Sequence, residues 1–257
     1  MNTNPEKSRE IQMTTFFRKT SRLLLSALLA SSIAFSLPAS ADVAPPIPVD
    51  LFPLTHPVGQ QRLLESTYAQ AYWGIANYFE TQRNQAYCSV ASSVIALNAL
   101  GVPRPANSQY PDFVFFTQDS FFSKIDPALA DPKAVSVEGM TLQQLTKVLA
   151  GFPVKVDSRY GSEMSIDEFR TAMKDNLRYS DRVVLLNFDR KSLNEVGGGH
   201  WSPLAAYHPA SDSVLVMDVA RYKYPPLWVS VKELFAGTQG LDSVSGKSRG
   251  VVVISKQ

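Results

Sequence analysis

The chain has 257 residues, 45% of them apolar and 19% charged. These are the values of one globular domain with a sizeable core, and they exclude a disordered protein. A formal charge of +2, with no basic stripe interleaved with aromatics, argues against nucleic acid as a partner.

The chain opens with a basic region (Arg18, Lys19, Arg22), an apolar run from Leu23 to Leu37, and the small-residue sequence Pro38-Ala39-Ser40-Ala41. That order reads as a secretory signal peptide over residues 1–41, cleaved near Ala41, with export to the periplasm. The alternative is a membrane anchor. The run of 15 residues is shorter than the roughly 20 that a spanning helix needs, so no stable span is expected after cleavage. Met13 is an alternative start that would bring the basic region nearer the terminus. Five of the 25 basic and two of the 23 acidic residues lie in 1–41, so the remaining chain carries a formal −1. The apparent basicity belongs to the export segment.

Residues 42–257 then read as a single catalytic domain. Asp42 to Pro57 is Pro-rich and predicts an extended arm. Gln61 to Phe79 predicts helix in pieces, with a break at Gly74. Cys88 to Leu100 predicts a buried helix stopped by Gly101 and Pro103. Thr141 to Ala150 predicts a second helix with Thr141 as its N-cap. Ser165-Ile-Asp-Glu168 is a capping box that opens a third, with the apolar stripe Ile166, Phe169, Met173 and Leu177. Val183 to Phe188 is a short buried strand. Trp201 to Tyr207 and Ser213 to Asp218 form a hairpin around a tight turn at His208–Asp212. Val229 to Phe235 contains a short helix opened by Ser230 and closed by Gly237, and Gly250 to Ser255 is a last strand. Helices first and antiparallel strands afterwards predict an α+β fold.

The single cysteine, Cys88, excludes an internal disulfide and a Cys-rich zinc site. An exported chain with a lone thiol either buries it or uses it. Cys88 begins its helix, where backbone N–H groups and the helix dipole favour a thiolate. A buried core cysteine is the competing reading. His200 follows Gly197-Gly-Gly199, where the backbone can be approached closely. Asp218 ends an apolar strand and needs a partner if buried. The proposed hairpin sets it near His200.

The order Cys, His, Asp, on a helix and then a sheet, is the papain-like arrangement. Cys88 is the nucleophile, His200 polarises it and protonates the leaving amine, and Asp218 fixes the imidazole. Gln82, six residues before the cysteine, forms an oxyanion hole with the Cys88 N–H in this reading. Such a donor is worth on the order of 3 kcal/mol. A helix-terminal polar residue without a role is the alternative for Gln82.

The segments Phe79-Glu-Thr-Gln82-Arg-Asn-Gln-Ala-Tyr-Cys88, Gly198-Gly-His200-Trp-Ser-Pro203 and Met217-Asp218-Val-Ala-Arg221-Tyr-Lys-Tyr-Pro-Pro-Leu-Trp228 resemble the phytochelatin synthases. The resemblance runs from about Leu51 to the C-terminus. It implies a papain-like fold and γ-glutamylcysteine dipeptidyl transferase chemistry, in which glutathione acylates Cys88 and loses its glycine. It places the triad on Cys88, His200 and Asp218, and the oxyanion glutamine on Gln82. It places the γ-glutamyl contacts on Asn187, Asp242 and Arg249; a guanidinium suits a carboxylate and a carboxylate suits an ammonium. It implies no fixed cofactor, with heavy-metal ions such as cadmium or zinc entering as thiolate complexes of the substrate. Two departures stand out. Ser89 occupies a position where the family commonly has Gly, and the Cys-rich C-terminal domain of the plant enzymes is absent. Like the family's short bacterial members, the chain is expected to hydrolyse glutathione more than it polymerises it.

Two other readings compete. One is a papain-like peptidase that cuts leader peptides after Gly-Gly, against which Asp242 and Arg249 argue. The other is a non-catalytic periplasmic binding module. The sequence leaves the oligomeric state open, a homodimer included.

Overall fold

The computed structural model describes residues 44–105, 112 and 114–257. The expected export segment lies outside the described residues. In chain order the elements are β1 (Phe52–Pro53), α1 (Pro57–Glu65), α2 (Gln70–Asn77), α3 (Cys88–Ala99), α4 (Pro132–Glu138), α5 (Leu142–Leu149), β2 (Val154–Tyr160), α6 (Ile166–Leu177), β3 (Arg182–Asp189), β4 (Gly199–His208), β5 (Ser213–Val216), β6 (Leu227–Ser230), α7 (Val231–Gln239) and β7 (Gly250–Lys256). The strands form one antiparallel sheet in the order β1-β6-β5-β4-β3-β7-β2. This is the α+β architecture expected, with the cysteine helix preceding every strand of the sheet except the short edge strand β1.

Side chains alternate across a strand, so a strand buried at consecutive positions is covered on both faces. That holds for β3, β4 and β5 at the centre of the sheet. Helices α2 and α3 pack on β4, α6 and α7 on β3, and α5 on β2. Helix α3 is buried almost throughout, with Val90, Ile95 and Leu97 fully inside. The Ser92 hydroxyl donates to the Trp201 carbonyl (3.3 Å), and the Trp201 indole donates to the Met140 carbonyl (2.9 Å), fixing α3 beside the start of β4. The capping box expected at Ser165 forms, and the N-cap expected at Thr141 forms as a capping box with Gln144. Residues Phe169, Met173 and Leu177 of the α6 stripe are buried; Ile166 is only partly so. Among the described residues, no helix is long and apolar enough to cross a membrane.

The Pro-rich arm docks as an edge strand, with Phe52 opposite Trp228 and Leu51 buried. Three sequence expectations need correction. Gly74 does not break a helix: the break falls at Ser66–Ala69, and Gly74 sits inside α2, where an added Cβ would lie 3.3 Å from the Ala99 Cβ of α3. Likewise α7 runs past Gly237, whose missing side chain lets the helix approach Phe188. Both glycines serve close packing between elements rather than termination. Strand β5 stops at Val216, so Asp218 lies just beyond it.

Candidate active site

Cys88 is the first residue of α3 and is 7% exposed. The segment leading to it is tied down at several points. Gln82 N–H donates to the Val219 carbonyl (2.9 Å), and buried Gln118 accepts from Arg83 N–H (2.9 Å) and donates to the Thr81 carbonyl (3.0 Å). The Asn84 side chain accepts from Ala86 N–H (2.9 Å), making the turn that aims α3.

The β4–β5 hairpin delivers the other two residues. A bulge between Leu204 and Ala206 follows Pro203, which has no N–H to give the ladder. Past the bulge, Met217 N–H donates to the Pro203 carbonyl (2.9 Å) and Val219 N–H to the Ser202 hydroxyl (3.4 Å). Asp218 between them therefore reaches back to His200, the second residue of β4. His200 Nε2 lies 2.8 Å from Asp218 Oδ1, with both side chains buried. The imidazole meets the Phe188 ring edge-on (5.6 Å between centroids, 89°), which limits its rotation. With Nε2 committed to the aspartate, Nδ1 is the nitrogen left to pair with the thiol.

The electrostatics follow from burial and these contacts. Burial pushes the Cys88 thiol up, but the hydrogen bond and charge of His200 and the N–H groups of Trp201 and Ser89 bring it below the ordinary value. For His200 burial favours the neutral form, the Asp218 charge opposes it, and the net direction is upward. Asp218 is likewise opposed by burial, yet His200 and Arg190 hold it down at about 2. A thiolate–imidazolium pair is the state this surrounding favours.

Arg190 was not singled out in the sequence. It is buried, donates from Nη2 to Asp218 Oδ1 (2.9 Å), lies 2.7 Å from Oδ2, and pairs on its other side with buried Glu195. Its guanidinium stacks over the Tyr224 ring (5.2 Å). Asp189-Arg190-Lys191 reads locally as a polar turn, which hides it. The available signal was chemical: a buried carboxylate has two oxygens, and one imidazole cannot satisfy both.

Asn187, Asp242 and Arg249 converge as well. Arg249 donates from Nη1 to Asn187 Oδ1 (2.9 Å) and lies 3.5 Å from Asp242 Oδ2. Asp242 uses Oδ1 to organise its own loop, accepting from Val244 and Ser245 N–H (2.9 Å each). Gly199 explains the glycine run: a Cβ there would sit 2.1 Å from Arg249 Nη1. The Arg249 group thus packs directly against the residue before His200. Its buried Nε has no partner among the described residues.

Gln82 is buried, and its Nε2 donates to the Asn84 carbonyl (2.7 Å) and the Tyr222 hydroxyl (2.9 Å). Ser89 is fully buried and its hydroxyl has no partner among the described residues.

A model of the phytochelatin synthase family matches residues 44–251. The chain belongs to that family. It is 30% identical over 201 residues to "Glutathione gamma-glutamylcysteinyltransferase 1" of Lotus japonicus, covering 77% of this chain and 39% of that protein. It is 28% identical over 193 residues to the Arabidopsis thaliana protein of the same name (75% and 39%). It is 26% identical over 193 residues to the "Glutathione gamma-glutamylcysteinyltransferase" of Schizosaccharomyces pombe (75% and 45%). The aligned stretch therefore spans less than half the length of each of these relatives. A C39-like peptidase from Bacillus anthracis superposes with a TM-score of 0.41 at 14% identity, covering 70% of this chain and 94% of its own.

Proposed function

We propose that this chain is a glutathione-cleaving γ-glutamylcysteine dipeptidyl transferase working through a Cys88 acyl-enzyme. The observation that carries the reading is the buried His200–Asp218 pair, which lowers the Cys88 thiol pKa and lies one residue from the Asn187–Arg249–Asp242 group.

The Cys88 thiolate adds to the carbonyl carbon of the Cys–Gly bond, and the carbonyl electron pair moves onto oxygen. The Cys88 N–H and the Gln82 side of the site receive that oxyanion. As the tetrahedral adduct collapses, the C–N bond breaks and the His200 imidazolium protonates the departing glycine amine. The thioester then passes to water, mainly, or to the α-amine of a second glutathione, with His200 taking the acceptor's proton. Asp218 holds the imidazole in place while its charge changes. Arg249 suits the α-carboxylate of the γ-glutamyl end, and Asn187 and Asp242 suit its ammonium.

Heavy-metal ions such as cadmium or zinc enter, in this reading, as thiolate complexes of glutathione, which links the reaction to metal detoxification. The export-signal pattern of residues 1–41 supports a periplasmic location.

The test is to incubate the protein with glutathione, with and without cadmium, beside a Cys88→Ala control, and follow products by mass spectrometry. Glycine and γ-glutamylcysteine absent from the control support the reading, and any (γ-Glu-Cys)₂-Gly measures the transfer branch. Intact glutathione throughout, with cleavage of a Gly-Gly leader peptide instead, would transfer the assignment to a processing peptidase.

A further inference from the structure

Strand β2 is the last of the sheet and pairs on one side only, with β7. Which of its backbone groups face outward follows from β7. Lys256 N–H donates to the Asp181 carbonyl (3.0 Å), on the β3 side. Bonding alternates along an antiparallel strand, so Val251, Val253 and Ser255 are the β7 residues that bond to β2. Their partners are Arg159, Asp157 and Lys155. Val154, Val156, Ser158 and Tyr160 therefore turn their N–H and C=O groups away from the sheet. Two bonds at the strand ends agree: Val154 N–H turns to the Phe152 carbonyl (2.7 Å) and Tyr160 N–H to Glu163 Oε2 (3.2 Å).

Between these ends the N–H and C=O groups of Val156 and Ser158 have no partner among the described residues. The C-terminal end of the edge is occupied, because Arg159 Nη2 donates to the Glu163 carbonyl (3.0 Å) and Glu168 Oε1 (3.2 Å). The open stretch is thus Val154–Ser158, centred on Val156. An open edge is a template for another strand, and proteins blunt it with proline, a bulge or charge. Strand β2 contains no proline, and its register with β7 is unshifted from Val154 to Tyr160. Its charges are of both signs. Lys155 and Asp157 are exposed, and neither is in an ion pair among the described residues.

We propose that β2 is an interface between two copies of this chain, paired antiparallel about a two-fold axis at Val156, so that their sheets join edge to edge. The sequence of the strand selects both the partner and the register. Only outward-facing residues can bond across the edge, so the axis falls at Val156, Asp157 or Ser158. An axis at Asp157 sets that carboxylate against its own copy and Lys155 against Arg159, like charges directly opposite. An axis at Ser158 needs Arg159 and Tyr160, both already engaged. The axis at Val156 sets Lys155 opposite Asp157 of the second copy, twice, at the close non-hydrogen-bonded positions. It also lets Val156 exchange both backbone bonds with its own copy. The contact is isologous, each strand giving and receiving the same bonds. The open stretch spans roughly 17 Å, a small interface, so the expected Kd is on the order of 10 μM. The proposal is independent of the substrate reading.

The experiment is sedimentation velocity of the purified protein across a concentration series that brackets that Kd. Wild type shifts from monomer to dimer. Lys155→Asp and Asp157→Lys each put like charges opposite one another at both positions, and each raises Kd about tenfold or more. An equimolar mixture of the two variants restores the dimer, because the acidic strand of one meets the basic strand of the other. The double variant Lys155→Asp/Asp157→Lys restores it within one chain. Thermal unfolding checks that the single variants keep the wild-type Tm; if one does not, the double variant carries the test. A wild type that stays monomeric throughout, or a dimer whose Kd ignores both reversals, overturns the interface. Loss in Asp157→Lys alone, or loss that neither the mixture nor the double variant restores, overturns the Val156 register.

Discussion

Arg190 lies 2.7 Å from the Oδ2 of Asp218, the oxygen that His200 does not use. Asp218 is therefore held from two sides, by the imidazole it orients and by a guanidinium that is itself pinned by Glu195. Three charges and an imidazole share one buried site, and each is stable there only because the others are present.

Removing Arg190 breaks that balance. Arg190→Ala leaves Glu195 and Asp218 buried without their cation, and loss of one partner of a buried pair costs about 3–5 kcal/mol. Thermal unfolding should show a markedly lower Tm. Glu195→Gln, which removes one carboxylate and keeps its shape, should cost much less. Equal Tm for Arg190→Ala and wild type would show that the guanidinium is not needed for the fold.

Asp218 also sets an acid limit. Its carboxyl is depressed to about 2 in the folded chain and titrates near 4 when unfolded. Its contribution to stability is therefore complete above pH ~4 and is lost as pH falls through about 2. Asp218→Asn should flatten that part of the stability–pH curve measured by denaturant unfolding.

The thiol should be reactive where an ordinary one is not. With the Cys88 pKa lowered and that of His200 raised, the rate of iodoacetamide alkylation should reach its plateau below the usual thiol range near 8.5. In His200→Ala only burial and the two backbone N–H groups remain, and the midpoint should move up. A midpoint that ignores His200 would mean that the two side chains do not pair.

Gly199→Ala tests the neighbouring group. The new Cβ would overlap the Arg249 guanidinium, which must move away. The expected result is a KM for glutathione raised tenfold or more, about 1.4 kcal/mol, with little change in the alkylation rate of Cys88. An unchanged KM would separate Arg249 from substrate binding.

Ser89→Ala removes a buried hydroxyl that has no partner among the described residues. Such a group costs about 1–3 kcal/mol of desolvation, so the variant should be as stable as wild type or more stable, by thermal unfolding.

What could be read in the sequence was what local chemistry dictates. The strands around Leu185, Ala205 and Leu215 are buried on both faces and read as apolar runs, and the caps at Thr141 and Ser165 are set by side chains three residues apart. Strand β2 (Val-Lys-Val-Asp-Ser-Arg-Tyr) escaped notice because it is a half-exposed edge whose pairing with β7 is decided a hundred residues away. The grouping of Cys88, His200 and Asp218 was legible because the three residues carry chemistry and lie near element ends. Arg190 was not singled out, because its partners are assembled only by the fold.

The central claim is that Cys88 carries the γ-glutamylcysteinyl group. Acid quenching of the enzyme during glutathione turnover, followed by peptide mass mapping, tests it most directly. The account predicts a γ-glutamylcysteinyl thioester on the peptide containing Cys88, absent in Cys88→Ala and slow to form in His200→Ala. Glycine release that persists in Cys88→Ala, with no adduct on the wild-type peptide, would contradict it.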